Sequence, residues 1–78
     1  MDYRIITTDP NSAIETIQHT ADHLDRWTHD TATEWAHVEG RKLPEGTRIA
    51  IDRRRGGAMY QPHRRYVVQN GVTRRTDR

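Results

Sequence analysis

The stretch RRYVVQNGVTRR, Arg64–Arg75, decides how this chain is read. Two β-prone runs flank Asn70-Gly71, a pair suited to the positive φ angles of a two-residue hairpin turn. A turn closed there sets Val68 opposite Thr73 and Val67 opposite Arg74. Alternation then puts Arg65, Val67, Gln69, Val72 and Arg74 on one face, and Arg64, Tyr66, Val68, Thr73 and Arg75 on the other. Arginine falls on both faces, so the pattern leaves open which of them is buried.

Working outward, the run TRIAID (residues 47–52) alternates Thr47, Ile49 and Ile51 against Arg48, Ala50 and Asp52, the signature of a strand. Gly56-Gly57 marks a turn between that strand and the hairpin. At the other end of the chain DYRIITT gives a strand over residues 3–8. The segment DPNSAIE reads as a helix start, with Ser12 as cap and Glu15 three positions on to complete a capping box. Ile14, Ile17, Ala21 and Leu24 follow at helical spacing, and the stripe continues through Thr28, Thr31, Trp35 and Val38 to Gly40. One helix over 13–39 would be about 40 Å long, against about 20 Å for a sheet of five- or six-residue strands. Thr31 with Glu34 offers a second capping pair, so two helices, about 13–28 and 32–39, fit better. The expected fold is a single small α+β domain over 1–78. Its order is β-α(α)-β-β-β, with an antiparallel sheet and one or two helices packed on one face.

The supply of core is small. Ile, Val and Leu number twelve in 78 residues, with no Phe. A chain this short buries only about 60–65% of its unfolded surface, so self-association or a partner would add stability, and a homodimer is one expectation. With no Cys, disulfides, thiolate metal sites and thiol chemistry are excluded. No apolar run approaches the length of a membrane span and no leader pattern opens the chain, so the expected location is cytoplasmic.

The formal net charge of +2 conceals a division. Residues 1–40 carry two Arg against eight acids, and residues 41–78 carry eleven Lys and Arg against three. All but one of the thirteen basic residues are Arg, whose fork matches phosphate bidentately. A basic half of this kind points to nucleic acid or an acidic partner.

The candidate residues come from that division. Arg53, Arg54, Arg55, Arg64, Arg65, Arg74 and Arg75 form a cationic set around the turn and hairpin, with His63 among them. Tyr60 and Tyr66 stand near enough in sequence to stack on unpaired bases. The acidic helical half offers Asp22, Asp25, Asp30 and Glu34, with Trp27 at the margin of the apolar stripe, as a contact for a basic partner. His19 and His23 have the four-residue spacing of a zinc pair, but lie opposite the stripe without a third ligand, so no metal or cofactor is assigned. His63 with Arg64, Arg65, Tyr60 or Tyr66 holds the groups needed to cleave RNA. The strand, helices and three-strand order is similar, in topology and charge only, to that of small RNase toxins of toxin–antitoxin pairs. The expected function is a non-enzymatic binding module that grips nucleic-acid phosphates through its arginines. The alternative is a phage- or mobile-element-type protein that inhibits a larger nucleic-acid-handling complex, and the RNase toxin stands third. No small-molecule substrate is indicated.

Overall fold

The computed structural model describes residues 1–20 and 27–77. Five strands and one α-helix follow in the order β1 (Asp2–Thr8), β2 (Glu15–His19), α1 (His29–Val38), β3 (Arg48–Arg54), β4 (Gln61–Gln69) and β5 (Val72–Arg75), with a 3₁₀ turn over Gly40–Lys42. They form one antiparallel sheet in the order β2-β1-β3-β4-β5. Among the described residues no helix is long and apolar enough to cross a membrane.

The hairpin forms as the sequence predicts. Val68 pairs with Thr73 and Val67 with Arg74, and Asn70 and Gly71 take φ of 54° and 75°. The structure also decides the faces. Tyr66 and Val68 are buried with Tyr3, Ile5, Ile49 and Ile51, beneath Ala32 and Ala36 of α1. The Arg64/Tyr66/Val68/Thr73/Arg75 side of the hairpin therefore faces the helix. Alanine at both contact positions lets the helix backbone come close to the sheet. Trp27, Trp35 and Leu43 pack around the rim of this core.

The expected first helix, 13–28, is corrected by the structure. Glu15–His19 is a strand paired with β1, so two strands precede the helix and the order is β-β-α-β-β-β. The similarity in topology to the RNase toxins ends there. The cause lies in the loop. The Asp9 carboxylate accepts from the amides of Asn11 and Ser12 at 2.8 and 2.9 Å, which turns the chain before any helix begins. Ala13, at φ 60°, completes the reversal. Asp9 then closes the loop by donating its amide to the Ile14 carbonyl at 3.0 Å. The two bonds from Ser12 and Asn11 hold the Asp9 carboxyl below the usual carboxylate range. Ile14 and Ile17, which opened the apolar stripe, are 65% and 60% exposed. Ala21 and Leu24, which extended that stripe, lie outside the described residues.

The second helix starts earlier than the Thr31–Glu34 pairing implies. Thr28 is the cap, its hydroxyl accepting from the Thr31 amide at 3.2 Å. The helix ends before Gly40, which is buried, and a Cβ there would lie 2.5 Å from Ile49 Cδ1. Glycine is needed at this point because the chain passes directly over the core.

Two bulges shape the sheet. The β1–β2 register shifts by one between Ile5 and Ile6, leaving Gln18 as an extra residue and turning His19 under the helix side of the sheet. His19 is buried and stacks flat on Trp27, with centroids 4.1 Å apart. The β3–β4 register shifts between Ile51 and Asp52, so that Ile51 faces Arg64 and Asp52 faces Pro62. His63 is the unpaired residue of that bulge.

Candidate phosphate-binding cleft

Strand alternation divides the arginines that stand together in sequence. On the sheet face away from the helix, Asp52 is buried between Arg4 and Arg65, whose guanidinium groups donate to it at 2.7 and 2.8 Å. Arg54 on the same face pairs with Asp2 at 3.3 Å. The guanidinium carbons of Arg4 and Arg54 lie 4.3 and 4.6 Å from the Tyr60 ring centroid. These cations already have partners, and Tyr60 is committed to them. Arg55 is exposed in the turn and, with Arg53, Arg54 and Met59, borders a separate shallow hollow.

The helix face assembles a different set. An open cleft of about 570 Å³ runs between α1 and the β4–β5 hairpin, lined by His29, Thr33, His37, Arg64, Tyr66, Thr73, Arg74 and Arg75. The helix contributes His29, Thr33 and His37, four residues apart and so on one flank. The strands contribute Arg64 and Arg75 from their helix-facing side and Arg74 from the edge strand, and among the described residues no carboxylate lines the cleft. Arg75 donates to Asp77 at 2.8 Å, and this bond helps to lower the Asp77 carboxyl against the opposing effect of burial. Arg64 and Arg74 have no carboxylate partner among the described residues. Arg64 donates only to the backbone carbonyl of His63, at 2.9 Å.

The β4 bulge supplies the remaining group. An extra residue lets two successive side chains take similar directions, so His63 and Arg64 both reach the helix side. His29 Nδ1 and His63 Nε2 stand 2.7 Å apart, and the Tyr3 ring lies 5.7 Å from that of His63 and 6.4 Å from that of His29. Burial, then the charges of Arg64 and Arg53, hold His63 well below the ordinary histidine value, at about 4. At neutral pH it is therefore an uncharged ring. His37 is held at the other end of the cleft by a 2.8 Å bond between its Nδ1 and Thr73 Oγ1, and its ring meets Tyr66 edge-on at 5.3 Å.

Of the residues predicted from sequence, Arg64, Arg74, Arg75, Tyr66 and His63 come together at or beside the cleft. Arg53 lies on the same face and acts on His63 through its charge. Arg54, Arg65 and Tyr60 are on the other side. Trp27 packs at the core margin, and Asp30 and Glu34 are exposed on α1. Asp22, Asp25 and His23 lie outside the described residues. Sequence reasoning missed His29 and His37 as site residues. Their signal was present as His29, Thr33 and His37 at four-residue intervals, once 29–38 is taken as the helix.

Comparison with known protein families, with characterised proteins and with solved structures finds no match to this chain. Its functional reading rests on the chemistry of the cleft itself.

Proposed function

We propose that this protein binds nucleic acid, holding backbone phosphates in the cleft between α1 and the β4–β5 hairpin. One observation carries the reading. Three arginines and two histidines line that cleft, with hydroxyls from Thr33, Thr73 and Tyr66, and among the described residues no carboxylate does. A cation set of this kind suits an anion that accepts several hydrogen bonds, and arginine forks suit phosphate oxygens in particular. Arg64, which lacks an acidic partner among the described residues, is the principal contact, with Arg75 beside it on the helix-facing side of the hairpin. The arginines of the opposite face, Arg4, Arg54 and Arg65, serve the fold through Asp2 and Asp52.

The test is fluorescence anisotropy with labelled single- and double-stranded DNA and RNA between about 50 and 200 mM salt. Affinity should fall along a log–log line whose slope counts phosphates neutralised. Arg64→Ala and Arg75→Ala should each reduce that slope by about one. Arg48→Ala, which removes an exposed arginine from the opposite face, should leave it unchanged. No binding at the lowest salt, or equal losses from both faces, would reject the assignment.

A further inference from the structure

The two ends of the cleft are built alike. At each end a histidine of α1 is anchored through Nδ1, His29 to His63 and His37 to Thr73. Among the described residues neither ring makes a hydrogen bond through Nε2, and both rings line the cleft. The arginines of β4 and β5 lie across from them. Eight residues of helix separate the two histidines, about 12 Å along the axis. Both rings line one cleft of about 570 Å³, which has room for one phosphoryl group and its attacking and leaving oxygens.

We propose that the cleft cleaves RNA by transphosphorylation, with His29 as general base, His37 as general acid, and Arg64 and Arg75 stabilising the charged phosphorus centre. The proposal rests on the nucleic-acid reading above and adds a substrate class, since the nucleophile must be a ribose 2′-hydroxyl. His29 donates its Nδ1 proton to His63, which places its lone pair on Nε2. That nitrogen takes the 2′-hydroxyl proton as O2′ bonds to phosphorus. The bond from phosphorus to O5′ breaks, and the departing O5′ takes a proton from His37. The products are a 2′,3′-cyclic phosphate and a 5′-hydroxyl. The two histidines end with their protonation exchanged, and solvent resets them, so the reaction needs no further reactant.

The fold assigns these roles through position. His29 sits in the first turn of α1 and His37 in the last, which sets the two rings at opposite ends of the cleft. The rings of Tyr3 and His63 face His29, with centroids 6.4 and 4.9 Å away, and Arg64 and Arg75 line the same cleft. His63 is a positioning residue, set by the bulge to receive the His29 proton and fix its tautomer.

The experiment incubates the full chain with a short 5′-labelled RNA in EDTA-containing buffer and identifies the termini of the fragments. The same strand carrying 2′-O-methyl groups serves as binding probe. Fragments should end in cyclic phosphate, and a single 2′-deoxy substitution should block cleavage at that linkage alone. H29Q and H37Q should each lower kcat by about 100-fold or more. His63→Leu should lower kcat with KM little changed, and His63→Gln, whose amide oxygen accepts the same proton, should restore it. Intact RNA beside a bound methylated strand overturns the catalytic proposal and leaves the binding reading standing. A methylated strand that does not bind overturns both. Cleavage that survives in H29Q and H37Q overturns the assignment of the cleft, and the deoxy substitution tests the chemistry without altering the protein.

Discussion

Acidification should destabilise this protein through His63 before its carboxylates are reached. Its folded-state value is about 4 against an ordinary 6.5, so between those limits the unfolded chain binds the proton and the folded chain does not. Stability from this group is fully present above pH 6.5 and is lost as pH falls toward 4. The full linkage across that interval is about 3 kcal/mol at 1.36 kcal/mol per pH unit. His63 is only partly buried, and solvent screening reduces the figure to about 1–2 kcal/mol. In a domain of this size that is a fall in Tm of about 5–15 °C. Thermal melts followed by far-UV circular dichroism from pH 7.5 to 4.5 measure it. His63→Gln removes the titrating ring, so its Tm should fall with pH less than that of the unaltered chain. Asp9 and Asp77, both lowered from 3.8, lose their contributions at more acidic pH and lie outside this window. Parallel pH profiles for the two proteins would refute the reasoning.

Two further perturbations test the frame that carries the cleft. Gly40→Ala should cost about 1–3 kcal/mol, because the new methyl group must displace the fully buried Ile49 side chain; a urea midpoint equal to that of the unaltered chain would show the contact to be relaxed. Asp52→Ala leaves Arg4 and Arg65 facing each other without their shared acid. Since both arginines keep partial solvent access, the expected loss is about 2 kcal/mol, below the 3–5 kcal/mol typical of fully buried pairs; a change under about 0.5 kcal/mol in chemical denaturation would contradict it.

Legibility in the sequence tracked the range of the interactions involved. The Asn70-Gly71 turn and the alternation of TRIAID are local signals, and the structure carries both where they were read. The first helix was read from the Ser12–Glu15 capping box and the stripe through Ile14, Ile17, Ala21 and Leu24, while a single carboxylate, Asp9, redirected the backbone ahead of Glu15–His19. Thr28 and Thr31 both cap helices well, and only the packing of Ala32 and Ala36 selects the earlier start. The site was half legible. Runs such as RRR at 53–55 suggest one cationic patch, but alternation sends neighbours to opposite faces, where Arg53 nears His63 and Arg54 meets Asp2. The meeting of His29 with His63 spans 34 residues and depends on a bulge. No local pattern announces a bulge within PHRRYVV.

That bulge has a consequence for how the molecule can change. On either side of it the β3–β4 ladder keeps a constant register, and only His63 lacks a place in the count. A chain one residue shorter at that position would pair without interruption and keep Tyr66 and Val68 over the same core. The bonding partner of His29 would be gone, and with it one end of the cleft. A single deletion there should yield an uninterrupted β3–β4 pairing over the same core that lacks the contact of His29 with His63.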